Sequence, residues 1–516
     1  MRRLLPLVCF AALFLAACGG GSDLVTPGGT TPPPATNPPP AGTPEALTAS
    51  ITPPGQPTLA ANTSIVVQFS APVATASLQL AGSFTALNPV TSWSADNTTL
   101  TLAPPAGGWP RGQGGTLSVL ATGAAGGAMA AAATASFFVP TQFASGQAAF
   151  AAIGQADLAT GTAQPVSAST VRSPQGNVAV ADGRLFVSDW NNHRILGFPA
   201  VPATSNAAAD IVLGQPDFVT GAPRATARDS LNGPMQVSIA AGKMAVADLN
   251  NSRVLVWSTV PSASGALPDV VLGQVDFNAA VTFGCTATRI GFPESVVITP
   301  DGKLVVADTN NQRVLLWNTV PTANTTPPDL VLGQGDFTHC RRNDDNQDGT
   351  ADATPSDRTM WRPSGLWSDG QRLVVLDSSN HRALVWNTFP TANFQRADLV
   401  LGQGSFTRVA PNDDNQDGVT DAPTARTLNA PYNGVDSNGM QLAIADTSNH
   451  RVLVWNTFPT TSFQPADAVL GQANFTTNAA GTAADRVNLP HGVKFVGDKL
   501  LVNDRFNNRV LVLQSP

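Results

Sequence analysis

The sequence of 516 residues predicts an all-β protein, in which a small β-sandwich precedes a six-bladed β-propeller closed by an N-terminal strand. Three observations support this fold class. The pattern Asp-x-x-Asn-x-Arg occurs six times at regular intervals. Each repeat contains four short apolar runs separated by Gly, Pro and Asn, which is typical of a propeller blade. The fourth run of a repeat ends in Gly-Gln. The last repeat lacks this run, and one such run lies before the first repeat instead.

The repeated pattern indicates an array of one supersecondary unit, because so short a unit cannot bury its apolar face without neighbours. Within each copy we expect Asn to adopt the left-handed turn conformation, and Asp and Arg to lock the hairpin as a bidentate pair. All copies carry these residues, which are therefore predicted to be structural. The copies begin at Asp189, Asp248, Asp308, Asp377, Asp446 and Asp504.

Closure of the ring is predicted from the Gly-Gln ending of the fourth run. This ending follows every copy of the pattern except the last, and residues 150–155 carry an additional one before the first copy. We expect this segment to complete the sixth blade beside residues 509–513, which leaves no open sheet edge.

The turn Asp308-Thr-Asn-Asn-Gln-Arg-Val-Leu is similar to the characteristic turn of the NHL-repeat β-propellers, and the resemblance covers residues 141–516. It implies an interaction platform, as most NHL-type propellers are. It also implies an alternative, since related six-bladed propellers include lyases, lactonases and other hydrolases with a metal at the channel mouth. Fold alone does not decide between these functions.

Residues 45–140 lack the repeat and are predicted to form a separate all-β domain. Residues 65–69 and 100–102 alternate apolar with polar or β-branched side chains between Pro, Gly and Asn turn signals. Their order, with residues 115–119 and 137–139, is similar to that of bacterial Ig-like domains. The resemblance implies a spacer or an adhesion module.

The first residues predict an exported bacterial lipoprotein. Arg2 and Arg3 precede an apolar run that is shorter than the roughly 20 residues of a membrane-spanning helix. The ending Leu15-Ala16-Ala17-Cys18 resembles a lipobox, which implies cleavage before Cys18 and its lipidation. Residues 1–18 are thus predicted to be a signal peptide, and the Pro-, Gly- and Thr-rich residues 19–44 a disordered tether. The alternative is an ordinary secretory signal in which Cys18 is incidental.

The bacterial sorting pattern that this start resembles places the protein at the outer membrane or cell surface, because Gly19 rather than Asp follows the cysteine. We expect membrane contact through the lipid anchor only. The net charge of −7, with only 12% charged residues, argues against nucleic acid as a partner.

Cys285 and Cys340 each follow a Gly-Gln-x-Asp-Phe segment in neighbouring repeats. In an oxidising compartment they predict a disulfide between loops of adjacent blades. Two unpaired buried thiols are the alternative.

Two acidic insertions, residues 343–352 and 412–421, predict calcium loops. Their order Asp-x-Asn-x-Asp-Gly-x-x-Asp is similar to that of EF-hand and dockerin-like loops, in which alternating oxygen ligands wrap a hard cation. The usual glutamate at loop position twelve is replaced by Pro355 and Thr424, so we expect modest affinity. The alternative is two acidic surface loops without an ion. The expected ligands are Asp344, Asn346, Asp348, Asp352, Asp413, Asn415, Asp417 and Asp421.

A binding site is predicted at the mouth of the central channel, from the residue after each blade's leading proline. These residues differ among blades, as a site requires and a scaffold does not. We expect Glu294, Tyr432 and His491 to form a polar pocket that binds a small ligand or acts as acid and base. The alternative is that these positions are solvated and vary freely. The predicted binding residues are Gln175, Glu294, Ser364, Tyr432 and His491.

The sequence therefore predicts a lipid-anchored envelope protein that binds a protein, a peptide or a glycan without catalysis, with loops stabilised by calcium. The alternatives are a metal-dependent propeller enzyme of the lyase or lactonase/hydrolase type, and a structural surface protein. His193, His381 and His450 share one position of the repeated turn and are expected to be exposed.

Overall fold

The computed structural model describes residues 45–53, 58–282 and 284–516. The predicted signal peptide 1–18 with its lipidated Cys18, and the predicted tether 19–44, lie outside these residues. Within the described ranges, no helix has the length and apolar character needed to cross a bilayer.

The first described part is a β-sandwich of two antiparallel sheets, ordered β1-β2-β5-β4 and β3-β6-β7. Ile65, Val67 and Phe69 alternate with more exposed neighbours, so that one face of their strand joins the core between the sheets. The strands are β1 (Ala49–Thr52), β2 (Ile65–Phe69), β3 (Gln79–Ala81), β4 (Val90–Trp93), β5 (Thr99–Ala103), β6 (Gln113–Leu120) and β7 (Ala133–Val139).

The rest of the described chain forms six four-stranded antiparallel sheets, the blades of a propeller. Strand β8 (Ala151–Ile153) precedes them. Blades 1 to 3 contain β9 (Ala179–Ala181), β10 (Arg184–Asp189), β11 (Arg194–Phe198), β12 (Ile211–Leu213); β13 (Pro234–Ala240), β14 (Lys243–Asp248), β15 (Arg253–Trp257), β16 (Val270–Leu272); and β17 (Pro293–Ile298), β18 (Leu304–Asp308), β19 (Arg313–Trp317), β20 (Leu330–Leu332).

Blades 4 to 6 repeat this order. They contain β21 (Pro363–Ser368), β22 (Leu373–Asp377), β23 (Arg382–Trp386), β24 (Leu399–Leu401); β25 (Val435–Ser437), β26 (Leu442–Asp446), β27 (Arg451–Trp455), β28 (Ala468–Leu470); and β29 (Pro490–Val496), β30 (Lys499–Asp504), β31 (Arg509–Gln514). The first strands of successive blades contact one another, as β13 contacts β17 and β17 contacts β21, so these strands surround the central axis.

Strand β8 completes the sixth blade. It pairs antiparallel with β31, with Ile153 opposite Val510 and Ala151 opposite Val512. The predicted closure of the ring by an N-terminal strand is therefore confirmed.

Each repeated turn builds a buried hydrogen-bond network in place of the bidentate pair that we expected. In the third blade, Nε of Arg313 donates to Oδ2 of Asp308 at 2.7 Å. The Nη atoms instead donate to backbone carbonyls, among them that of Phe337 at 2.6 Å. Only one guanidinium nitrogen reaches the carboxylate, because the others hold neighbouring loops. Both partners are fully buried in every blade, and a buried pair is stable only when it is hydrogen-bonded in this way.

The left-handed residue of the turn is the one after Asn, which corrects the sequence-based expectation. Gln312 has φ of 56°, whereas the side chain of Asn311 donates to Asp308 from the end of a single-turn 3-10 helix. Such 3-10 helices within the described residues are Thr75–Ser77, Thr85–Leu87, Trp190–Asn192, Leu249–Asn251, Thr309–Asn311, Ser378–Asn380, Thr447–Asn449 and Arg505–Asn507.

The three turn histidines link adjacent blades and are partly buried, so the prediction that they are exposed is wrong. Each accepts a backbone N–H from the next blade at its Nδ1. The donors are Gly233 for His193 at 3.0 Å, Ala430 for His381 at 2.9 Å, and Leu489 for His450 at 3.1 Å. Gln312 and Asn508 make the equivalent bond to Arg362 and Ser173.

Cys285 and Cys340 form a disulfide across 55 residues of sequence, as predicted. One lies between β16 and β17 and the other between β20 and β21, so the bond joins the loops that lead into the third and fourth blades.

Candidate functional site

A cavity of about 680 Å³ lies at the end of the axis where the first strands begin. Most of its walls come from three positions of the repeat: the residue before the leading proline, the residue after it, and the residue after the repeated Asp. We call this cavity the channel mouth; its residues include Gln175, Trp190, Phe292, Glu294, Trp361, Arg362, Tyr432, His491 and Arg505.

Glu294 anchors one side of the channel mouth and is only 4% exposed. Its Oε1 accepts a hydrogen bond from the Tyr432 hydroxyl and another from Nη2 of Arg362 at 3.1 Å. Arg362 also donates to the Tyr432 hydroxyl at 2.6 Å. Oε2 of Glu294 is buried and has no partner among the described residues. The cluster thus leaves one buried carboxyl oxygen, in a residue that lines the cavity, without a hydrogen bond from the described residues.

Burial sets the protonation of these groups. It raises the pKa of Glu294, although Arg362 opposes the shift. Burial and the neighbouring Glu294 raise the pKa of Tyr432 well above its usual range. Tyr432 is therefore a neutral phenol at physiological pH, and it keeps the proton that it donates to Glu294.

His491 lies on the opposite side and is 3% exposed. Its Nε2 is 3.3 Å from Nη1 of Arg505, and its Nδ1 is 2.9 Å from Oε1 of Gln175. Because a guanidinium can only donate, Nε2 must accept and Nδ1 must carry the proton. Burial, with Arg505 and Arg362 nearby, lowers the pKa of His491 well below its usual value. The imidazole is thus neutral, and both of its nitrogens are engaged.

Tyr432 connects the Glu294 side of the cavity with the His491 side, and Arg505 connects His491 with Trp190. The rings of Tyr432 and His491 have centroids 4.6 Å apart. Arg505 lies with its guanidinium carbon 5.8 Å from the ring centroid of Trp190. Nε of Arg505 and Nε1 of Trp190 are buried and lack a partner in the described part of the chain. Side chains on opposite walls of the cavity therefore carry buried polar atoms without partners among the described residues.

The structure brings together four of the five predicted binding residues and excludes one. Ser364 is fully buried behind the wall, where its hydroxyl contacts that of Ser378 and accepts the N–H of Asn433 at 3.3 Å. It does not line the cavity. Sequence reasoning missed Arg362, Arg505, Trp190 and Trp361, because it considered only the residue after each proline. A comparison of all repeat positions would have singled out both arginines.

In the acidic loops, the first aspartate organises the turn. Asp344 is fully buried and accepts the N–H groups of Asp348 at 3.1 Å and Gly349 at 3.0 Å. Asp413 does the same in the second loop. Among the described residues, no group of three or more His, Cys, Asp or Glu side chains is arranged to hold a metal. A calcium site here would need amide and backbone oxygens beside its carboxylates.

Residues 291–315, in the third blade, match the family model of the NHL repeat. No curated protein matches the chain.

Among solved structures, the chain is similar to a protein from Bacteroides thetaiotaomicron described as a proposed phosphatase (11% identity, 91% of this chain and 97% of that chain, TM-score 0.37). It is also similar to a PQQ-bound aldose sugar dehydrogenase from Streptomyces coelicolor (15%, 68% and 97%, TM-score 0.37) and to a chain of a nidogen/laminin complex (13%, 58% and 85%, TM-score 0.28). At these scores none of them assigns a function. The chain is thus a six-bladed propeller by its sheet topology, with an NHL-repeat match in its third blade.

Proposed function

We propose that this protein is a cell-envelope lipoprotein that binds its ligand at the channel mouth without catalysing a reaction. One observation supports the site above all others: Glu294, Arg505 and Trp190 line a cavity, and each has a buried polar atom with no partner in the described chain. Buried polar atoms are almost always hydrogen-bonded in folded proteins. A ligand in the cavity would supply the missing partners after a small rotation of these side chains.

The arrangement favours binding over acid–base chemistry. Both nitrogens of His491 are occupied, and the hydroxyl of Tyr432 is held between Glu294 and Arg362. A catalytic base must reach a proton of the substrate, and these contacts would first have to break. The same contacts fix the orientation of each group, which suits recognition of one ligand geometry.

The disulfide supports location outside the cytoplasm. Cys285 and Cys340 bond in the structure, and disulfides persist mainly in oxidising compartments. With the lipobox-like segment ending at Cys18, this favours an exported, lipid-anchored protein. Radiolabelled palmitate should enter the wild-type chain and not Cys18→Ala; equal labelling of both would refute lipidation at this residue.

The proposal includes calcium in the two acidic loops. The bend that Asp344 stabilises through the N–H groups of Asp348 and Gly349 is the sharp turn that a calcium loop requires at its glycine. Asp344, Asn346 and Asp348 would supply side-chain ligands, as would the matching residues of the second loop.

Immobilised wild type and the variant Glu294→Gln/Tyr432→Phe would be compared for the peptides and glycans that each retains from an envelope extract. Arg396→Gln is the matched control, because it removes an exposed ion pair with Asp357 away from the cavity. We expect at least tenfold lower retention by the double variant and no change in the control. Equal retention by all three proteins would overturn the proposed site.

A further inference from the structure

The two arginines of the channel mouth are not required by the blade. Arg505 follows the repeated Asp, and Arg362 precedes the leading proline. Neutral residues occupy both positions in the other blades. These are Trp190, Leu249, Thr309, Ser378 and Thr447 at the first position, and Ser173, Gly233, Phe292, Ala430 and Leu489 at the second. Arg505 has no charged partner among the described residues: its guanidinium lies 4.9 Å from the ring centroid of Phe506 and 5.8 Å from that of Trp190.

Arg362 is neutralised within the protein, whereas Arg505 is not. Arg362 pairs with Glu294 at 3.1 Å. Arg505 forms no ion pair in the described part of the chain, and its contact at Nη1 is the neutral His491. Its Nε is buried and unbonded. A partly buried guanidinium without a counterion is unfavourable, and an anion in the cavity would remove this penalty.

The balance of charge at the channel mouth selects a monoanion. With Glu294 and Arg362 paired, one uncompensated positive charge remains, although the whole chain carries −7. A carboxylate matches the paired N–H groups of a guanidinium in a bidentate fashion. A phosphate dianion would bring a second negative charge towards Glu294.

The remaining groups call for hydroxyls and for a ring with an apolar C–H face. Glu294 and Trp190 line the cavity, and each has a buried atom, Oε2 and Nε1 respectively, without a partner in the described ranges. A small rotation of either side chain would let that atom bond a ligand hydroxyl. Trp190, Trp361 and Phe292 give the cavity flat apolar walls. Its volume of about 680 Å³ lies within the range of roughly 300–1,000 Å³ that small-molecule sites occupy.

We propose that the channel mouth binds a sugar that carries a carboxylate, such as a uronic acid residue of a glycan, with the carboxylate on Arg505 and ring hydroxyls on Glu294 and Trp190. This inference rests on the proposed function, since it names the ligand class of the same site.

D-glucuronate is the probe, and D-glucose and inorganic phosphate are the comparison ligands, each titrated into the purified chain by calorimetry at constant ionic strength. The test variant is Arg505→Thr, because the third and fifth blades carry Thr309 and Thr447 at this position and the scaffold accepts it. Arg396→Gln is the charge-matched control. Thermal melting of each protein checks that the variant is folded.

We expect glucuronate to bind wild type at least tenfold more tightly than glucose does. Arg505→Thr should lower the affinity for glucuronate at least tenfold and leave the affinity for glucose unchanged. Equal affinity for both sugars, tighter binding of phosphate, or an unaffected Arg505→Thr would overturn the inference. If the Glu294→Gln/Tyr432→Phe variant loses its retained envelope ligand but glucuronate does not displace that ligand from wild type, the binding function stands and the carboxylate assignment fails. If retention is equal in all variants, the binding function itself fails.

Discussion

The contact between His381 and the fifth blade should make the stability of the propeller depend on pH. Nδ1 of His381 accepts the backbone N–H of Ala430 at 2.9 Å, so the imidazole must be neutral at this nitrogen. Burial lowers the pKa of His381 from 6.5 to about 4. Protonation would remove the acceptor and place a charge between two blades.

The sign of the pH effect follows from the linkage between proton binding and folding. The folded chain binds this proton less tightly than the unfolded chain, so the contribution of His381 is complete above pH 6.5 and is lost as pH falls through 4. A shift from 6.5 to about 4 corresponds to at most about 3.5 kcal/mol, at about 1.4 kcal/mol for each pKa unit. Partial exposure of the ring lowers the expected value to about 2 kcal/mol.

His381→Gln isolates this effect, because the third blade already uses glutamine at the same position. Oε1 of Gln312 accepts the N–H of Arg362 at 2.8 Å, so glutamine should keep the bond without titrating. Guanidinium chloride unfolding at pH 7, 6, 5 and 4 should show wild type losing about 2 kcal/mol more than His381→Gln. His381→Ala should be destabilised at every pH, since it has no acceptor. Parallel pH profiles for wild type and His381→Gln would refute the reasoning.

Three further predictions concern the turn, the disulfide and the acidic loops. Asp308→Ala should cost about 3–5 kcal/mol in chemical denaturation, because it leaves a buried arginine without its partner; a cost below 1 kcal/mol would contradict the network. Cys285→Ser/Cys340→Ser should lower the free energy of unfolding by about 4 kcal/mol for a loop of this length, and an unchanged denaturation midpoint would contradict it. Calcium should raise the melting temperature of wild type above that in chelator, and Asp348→Asn/Asp417→Asn should abolish the difference; equal melting of wild type in both conditions would refute the calcium site.

The number of blades and their closure could be predicted from the sequence because both depend on spacing. The repeated pattern recurs at the same strand end in every blade, and the displaced Gly-Gln run at residues 150–155 has one vacant position to fill. Spacing does not reveal which of two adjacent residues adopts a positive φ. The sequence pattern therefore predicts the left-handed conformation for Asn311, whereas Gln312 adopts it. The histidines at that position were predicted to be exposed, because contacts between blades are not encoded in one repeat.

The sequence predicts only part of the candidate site, because one repeat does not encode which positions of different blades meet. Residues that vary among blades at one position pointed to Glu294, Tyr432 and His491. Arg362 and Arg505 lie next to the leading proline and the repeated Asp, in segments with a structural role in every blade. Only the fold shows that these repeat positions meet at one end of the axis. Ser364 followed the same rule as Glu294, but its small side chain stays behind the wall.

The position of β8 in the sixth blade has a consequence for how the chain assembles. Ile153 pairs with Val510, so more than two thirds of the sequence separates the two strands that close the ring. Each earlier blade can form from neighbouring residues, but β8 has no lasting partner until β31 is synthesised. Contacts between such distant segments form slowly, and until then the edges of β8 and of the unfinished sixth sheet remain open to pairing with other chains. Newly made protein should therefore be most prone to association during the interval before its C-terminal strand is in place.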